Sequence, residues 1–255
     1  MRNIWSITKR ELSAYFSSPI AYAVIFGFQL LFGFFFFNLV SWFNAQAMQM
    51  AQNPYYSQQA NINQMVFSPL FHNTSIILIL VVPLLTMRLL AEEKKTGSEE
   101  LLFTSPISVG QIILGKYLAC LVVLAAMLGL TALLSSMAFA YGNPELVPWL
   151  IGYLGLFLMG ASFIAAGLFF SATTKNQIVA GFLTFCLLLL FLVLNWVTAS
   201  GSGAWQSVLG YLSFSDHFED MTRGILDTKD LVYYLSFSFF GLFLTHSLIQ
   251  SRRWR

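Results

Sequence analysis

The sequence has little charge and few cysteines. Lys, Arg, Asp and Glu make up 9% of its 255 residues, whereas an average soluble domain has roughly 25%. So few charged side chains cannot cover a water-facing surface. The two cysteines, Cys120 and Cys186, are too few for a secreted disulfide framework. The net charge of +2 is not the dense basic field of a nucleic-acid-binding protein, so we expect no nucleic-acid partner.

The sequence contains several long apolar runs. Apolar residues make up 57% of the chain, which excludes a disordered protein. Six runs approach or exceed the roughly 20 residues that cross a bilayer, and inside hydrocarbon such runs must be helices because every backbone polar group needs a partner within its own segment. The predicted spans are residues 21–43, 76–90, 114–140, 148–170, 178–199 and 231–249, the second extending back toward His72. We therefore predict an all-α, polytopic membrane protein in which residues 1–255 form one transmembrane domain.

The distribution of cations predicts the orientation of these spans. All but two of the 13 Lys and Arg residues lie before the first span, in the connection between spans two and three or at the span ends that border it, between spans four and five, or after the last span. The two exceptions, Arg223 and Lys229, lie between spans five and six. Since cytoplasmic loops carry the excess of Lys and Arg, both termini are predicted to be cytoplasmic.

Residues 1–18 predict a cationic amphipathic helix that lies in the cytoplasmic membrane interface. Its apolar residues share about one third of the helix circumference, and Ile7 departs from this pattern. The apolar side holds Ile4, Trp5, Leu12, Tyr15 and Phe16, and the opposite side holds Arg2, Ser6, Lys9, Arg10 and Ser13.

Two connections on the external side are long enough to have structure of their own. Residues 44–73 contain no Asp, Glu, Lys or Arg, and their length favours either a folded cap or a binding role. Residues 200–230 alternate acidic and aromatic side chains. Because aromatic rings favour the depth of the membrane interface, this second connection is predicted to form short helices there.

The sequence offers no site for catalysis or for a metal. The stretch from Gly110 to Tyr117 has the spacing of a Walker A loop, but Tyr117 stands where a Ser or Thr must bind Mg²⁺, and a membrane helix follows instead of a buried strand. The three histidines are scattered without metal-ligand spacing. No nucleophile motif is present either. We expect a protein that is not an enzyme and binds no cofactor itself.

The central parts of the spans carry no Asp, Glu, Lys or Arg. Ion-coupled carriers usually bury such residues, so the energy for any transport is expected to come from elsewhere. The polar residues in mid-span are Gln29, Asn38 and Asn195. They are candidates for a transport pathway, although a hydrogen bond between helices would explain each of them equally well.

The connection between spans two and three predicts a short helix with an exposed apolar surface. Thr96 and Glu99 have the spacing of a capping box. Leu101 and Leu102 supply apolar side chains, and Pro106 ends the helix. The pattern is typical of a docking element on the cytoplasmic side, with an amphipathic interfacial linker as the alternative.

The order of residues in this connection resembles the segment between the second and third spans of permeases of the type-2 ABC exporter family. The shared residues are Arg88, Ala91-Glu92-Glu93, Lys94-Lys95, Gly97, Glu100, Leu101-Leu102, Thr104, Pro106, Ser108 and Gly115-Lys116. The family often has an apolar residue where this chain has Glu99. The segments 9–19 and 215–227 resemble the N-terminal helix and the external segment of the same family, most closely its gliding-motility and copper-processing branch.

The resemblance implies a permease subunit of an ATP-driven exporter in the cytoplasmic (inner) membrane of a bacterium. A separate cytoplasmic ATPase would bind the ATP and Mg²⁺, and a second permease chain, identical or related, would complete the pathway. Residues 94–108 would form the coupling helix. The residues implied in contacts with the ATPase are Glu92, Glu93, Gly97, Glu99, Glu100, Leu101, Leu102 and Pro106, with Lys9, Arg10 and Glu11 as a second contact.

Two other functions stay open at the level of sequence. An ABC-type subunit could transmit force to an accessory envelope protein bound at residues 44–73, without moving a substrate. An ion-coupled secondary carrier would need no ATPase, but it lacks the expected buried charge and a clear repeat of two halves. Membrane lipid is a partner in every case.

Overall fold

The computed structural model describes residues 2–51, 61–98, 107–200 and 210–253, and these residues are mostly helical and include no strand. The predicted all-α class is confirmed. The helices, numbered in chain order, are α1 (Arg2–Ser17), α2 (Pro19–Ala51), α3 (Ser68–Thr86, preceded by a π-helical turn, Asn63–Phe67), α4 (Ala91–Thr96), α5 (Val109–Ser136), α6 (Ala138–Tyr141), α7 (Leu146–Thr173), α8 (Gln177–Ser200), α9 (Phe214–Thr222) and α10 (Thr228–Arg253).

Six helical stretches are long and apolar enough to span a membrane, which confirms the six predicted spans. They are Pro19–Gln49, Asn63–Thr96, Val109–Ala140, Leu146–Thr173, Gln177–Leu194 and Thr228–Ser251. The second starts well before the predicted residue 76, because Ser68 and Pro69 begin α3 with a proline in its first turn. Much of the connection 44–73 is therefore helical, and residues 52–60 of it lie outside the described residues.

Helices α3 and α7 form the centre of the bundle. In the most apolar stretch of each of these two spans most residues are buried, whereas in those of α2, α8 and α10 most residues are half-buried or exposed. Small residues let these two helices approach each other closely. A Cβ atom added at Gly167 of α7 would lie 2.1 Å from Thr86 Oγ1 of α3, and one added at Gly152 would lie 2.2 Å from the Phe71 ring. Larger side chains at these positions would push the central pair apart.

The bundle has two ends of different character. At the basic end lie α1, α4 and the short connection from α7 to α8. At the opposite end lie the π-helical turn, α6 and α9, and α9 lies in the connection 200–230, for which short helices are predicted. There His217 Nδ1 lies 2.7 Å from Asp230 Oδ1, and the Tyr234 hydroxyl donates to Phe214 O at 3.0 Å, so that α9 is tied to α10.

Candidate functional site

Four charged side chains from α1, α4 and α5 meet at the basic end and form what we call the charge cluster: Arg10, Glu11, Glu93 and Lys116. Lys116 Nζ lies 2.8 Å from Glu93 Oε1 and 3.1 Å from Glu11 Oε1. Arg10 Nη2 lies 2.7 Å from Glu11 Oε1 and 3.2 Å from Glu93 Oε1. Each carboxylate thus contacts both cations, and three helices are joined at one point.

The ion pairs of the charge cluster are largely shielded from water. The Lys116 side chain is 1% exposed, and those of Glu11 and Glu93 are 13% and 17% exposed. Burying an ammonium group without a partner is costly, and here two carboxylates pair with it. Burial by itself raises the pKa of Glu11, but the charges and hydrogen bonds of Lys116 and Arg10 outweigh it, so the pKa of Glu11 is lowered. The hydrogen bond to Glu11 raises the pKa of Arg10.

The contact between α1 and α5 depends on Gly115. A Cβ atom there would lie 2.7 Å from Ile7 Cγ2, and the Thr8 hydroxyl donates to Gly115 O at 3.1 Å. Ile7, the residue that departs from the predicted apolar side, is therefore buried against the protein. Trp5 and Phe16, on the predicted apolar side, are 68% and 43% exposed. The helix has two apolar faces, one packed on the bundle and one directed away from it, which a single apolar stripe does not describe.

The same region shows why the Walker A spacing does not mark a nucleotide site. Gly110 to Tyr117 lies within α5, whose first turn is capped by Ser108 and Gln111 in a capping box. A phosphate-binding loop has to present free backbone N–H groups from a non-helical turn. Lys116 is engaged by two carboxylates instead.

Helix α4 is also joined to the end of α7. Ser171 Oγ accepts hydrogen bonds from the backbone N–H groups of Leu90 (3.0 Å) and Ala91 (3.1 Å), and it donates to Met87 O at 3.1 Å. The Lys94 ammonium group donates to Ala172 O. Terminal helix carbonyls and N–H groups lack partners within their own helix, so these bonds satisfy the C-terminus of α7 and the start of α4 at once.

Tyr15 adds a third connection, between α1 and the end of α3. Its hydroxyl donates to Leu85 O at 2.7 Å and lies 3.1 Å from Cys120 Sγ of α5. The guanidinium carbon of Arg88 stands 4.6 Å from the centre of the Tyr15 ring, a cation–π contact. Burial raises the pKa of Tyr15 well above its ordinary range. The Tyr15 hydroxyl therefore stays neutral and can keep donating.

A cavity of 730 Å³ lies beside the charge cluster. The residues that line it include Arg10, Glu11, Tyr15, Arg88, Glu92, Glu93, Thr96, Ser98 and Lys116. It lies next to Gly97, which ends α4 in the left-handed conformation with φ of 76°. The described chain stops one residue later, at Ser98, and resumes at residue 107.

The structure brings together some of the predicted contact residues. Glu93, Arg10 and Glu11 meet in the charge cluster, and Glu92 lines the adjacent cavity, whereas Lys9 is exposed outside it. The remaining predicted contacts, Glu99, Glu100, Leu101, Leu102 and Pro106, lie outside the described residues.

Two of the three candidate pathway residues hold hydrogen bonds. Gln29 Nε2 donates to Met127 O of α5 at 2.8 Å, and the exposed Asn38 donates to Phe34 O of its own helix at 2.8 Å. The side chain of Asn195 is outside the described part. Their role in a pathway stays a prediction.

Comparison with known protein families supplies the identification. The model of a family described as "ABC-2 family transporter protein" matches residues 42–215, which is more than half of the chain. The chain belongs to the ABC-2 transporter family. No curated protein sequence matches it. The predicted family is confirmed, and this ABC-2 protein is a multi-pass membrane permease; membership of the gliding-motility and copper-processing branch stays a prediction.

Proposed function

We propose that this ABC-2 protein is the permease subunit of an ATP-driven exporter in a bacterial inner membrane, with its basic end and both termini in the cytoplasm. A separate ATPase docks on residues 94–108 and carries the ATP and Mg²⁺. Two permease chains together form the pathway. ATP binding moves the docked segment, and the segment moves the spans.

The main support for this proposal is the set of contacts that joins α4 to three other helices. The second half of α4 is the start of the proposed docking segment, and Glu93 of this helix is paired with Lys116 of α5 and Arg10 of α1. Ser171 of α7 holds the start of the same helix. A displacement of α4 therefore acts on three other helices. Packed interfaces with buried ion pairs switch between discrete arrangements instead of deforming gradually.

The origin of the driving energy supports a partner ATPase. Within the described residues, the buried charged groups of the spans are Lys94, Lys116 and Asp230. Each lies near an end of its span and has a partner there: Ala172 O for Lys94, Glu93 for Lys116 and His217 for Asp230. This leaves no evident mid-span carboxylate for proton or sodium coupling. Energy for transport then has to enter from outside the membrane domain, and the basic end offers the connection that would receive it.

The first test is purification of the tagged chain in mild detergent, followed by mass spectrometry of the proteins that accompany it. We expect a Walker A-bearing ATPase with the wild type and with Glu145→Lys, a control charge reversal at an exposed residue of the opposite end. The ATPase should be lost with Glu100→Lys or Leu101→Asp. No ATPase with a well-folded wild type would contradict the proposal and favour the secondary carrier.

A second test separates transport from force transmission. In reconstituted vesicles, variants at Glu100 or Leu101 that retain some ATPase should hydrolyse ATP without export. Normal export in such variants would remove the coupling role from this segment. If the wild-type complex shows ATP hydrolysis, no efflux of any substrate class and crosslinks from residues 44–73 to an envelope protein, the force-transmitting function is correct instead.

A further inference from the structure

A second cavity, at the opposite end of the bundle, is almost wholly apolar and has a volume of 540 Å³. One wall is formed by α2, with Gly33, Phe37, Val40 and Asn44, and the facing wall includes Leu134 and Ile62. We call it the apolar groove. It has no part in the basic end, and none of the contacts described above uses it.

The geometry points to the acyl chain of one membrane lipid as the occupant of this groove. The groove residues of α2 recur every three or four positions from Gly33 to Asn44, so the groove runs along the helix axis. The eleven residue-to-residue steps from Gly33 to Asn44 cover about 16 Å along an α-helix. The hydrocarbon of one leaflet is about 15 Å deep, half of the bilayer's roughly 30 Å. The groove therefore has the length and direction of a single lipid chain standing in the leaflet at the opposite end.

The polarity of the lining matches such a chain along its whole length. None of the described residues that line the groove is charged, and Asn44 is the lining residue nearest the C-terminal end of α2. A lipid chain is apolar and uncharged until its ester linkage, where a hydrogen-bonding amide is complementary. A peptide segment would instead bring backbone polar groups, and the groove offers them few partners.

The groove is open to the bilayer. Phe37 on its rim is 72% exposed and Met137 is 59% exposed. Because few residues of the apolar stretch of α2 are buried, lipid chains are the medium that surrounds this rim. An empty apolar groove would leave its walls without van der Waals partners, which a lipid chain supplies.

A substitution at Gly33 can fill the apolar groove and so test whether a lipid chain occupies it. A Cβ atom at Gly33 would lie at an ordinary van der Waals distance, 3.7 Å, from Leu134 Cδ2, so a leucine side chain at this position extends into the groove. Gly27 lies on the same helix outside the groove, with nothing within 4 Å of an added Cβ. Gly33→Leu and Gly27→Leu are matched substitutions, and both replace glycine by a better helix former.

The experiment uses the full chain in vesicles of phosphatidylethanolamine and phosphatidylglycerol that contain a phosphatidylethanolamine with a photoactivatable diazirine in one acyl chain. After illumination, lipid adducts are mapped on peptides. In the wild type and in Gly27→Leu we expect adducts concentrated on residues 33–44 and 134–142. In Gly33→Leu these adducts should fall to the density found along lipid-facing α8, while the α8 adducts stay unchanged.

Three results would overturn the inference. One is equal adduct density on the groove and on α8 in the wild type. Another is groove labelling that Gly33→Leu leaves intact. The third is formation of disulfide-linked chain dimers by Phe37→Cys in a Cys186→Ser background, which would assign the groove to a second copy of the chain.

Discussion

Replacing Lys116 by methionine tests the charge cluster most directly. The substitution keeps the length and volume of the side chain but removes the buried ammonium group, so that Glu11 and Glu93 are left with Arg10 alone. Removing one partner of a fully buried ion pair costs roughly 3–5 kcal/mol. The carboxylates retain 13% and 17% exposure, and we therefore expect a value near the low end, about 3 kcal/mol.

We expect this loss of stability in Lys116→Met to appear as detachment of α1 from the rest of the bundle. A loss of about 3 kcal/mol raises the population of the detached state about 100-fold. Hydrogen exchange of the α1 amides, measured by mass spectrometry in detergent, should accelerate by that factor in Lys116→Met, with α10 unchanged.

Lys229→Met is the matched control for this substitution. Lys229 also contacts two carboxylates, at 3.1 and 3.3 Å, but its side chain is 51% exposed. Exposed pairs of this kind contribute little, so the exchange rates should not change. The triple variant Glu11→Gln, Glu93→Gln, Lys116→Met should recover most of the protection, because the buried charges disappear together. If Lys116→Met leaves α1 protected, or if the triple variant opens as much as the single one, the reasoning is refuted.

Three further predictions concern the same end of the bundle. Gly115→Val should displace α1 and cost about 1–3 kcal/mol by overpacking, which should appear as faster proteolysis of α1. Gly129→Val should not speed this proteolysis, because an added Cβ at Gly129 meets nothing within 4 Å. The pKa of Glu11 is lowered from its ordinary 4.5. Its contribution to the free energy that holds α1 in place is therefore complete above pH 4.5 and is lost as the pH falls through the lowered value. Hydrogen exchange of the α1 amides should accelerate only in that acidic range, and Glu11→Gln should remove the acceleration. Ser171→Ala should cost about 1–3 kcal/mol in thermal unfolding, since it leaves buried N–H groups without an acceptor. Ser136→Ala should be neutral in the same measurement, because it loses a hydrogen bond only within its own exposed turn.

The spans could be predicted from the sequence because a bilayer demands long apolar runs, and hydropathy detects them. The start of α3 could be predicted only approximately. Thr74 and Ser75 lower the hydropathy there, yet both are buried and satisfied by carbonyl groups of their own helix, Leu70 O and His72 O. Hydropathy treats a polar side chain as exposed and does not recognise one that bonds back to its own helix.

The site was only partly predictable for a different reason. Glu11, Glu93 and the Gly115-Lys116 pair attract notice in the sequence, but Glu11 and Lys116 are 105 positions apart. A single sequence contains no signal that pairs them. Tyr15 and Ser171 were missed as site residues because an aromatic residue on an apolar stripe and a serine in a span each have an ordinary packing role. Their importance comes from the carbonyl and N–H groups that the fold brings to them.

Charge at this junction has a use that apolar packing does not provide. Helix α1 carries apolar side chains on two faces, with Ile7 and Tyr15 buried and Trp5 and Phe16 exposed. Burial alone therefore discriminates weakly between rotations of α1 that place one face or the other against α5. The pairing of Glu11 with Lys116 is directional, because any other rotation would leave the Lys116 ammonium group buried without one of its carboxylates. The ion pair thus fixes the rotation of α1, and with it the position of Arg10 opposite Glu93, where α4 enters the proposed docking segment.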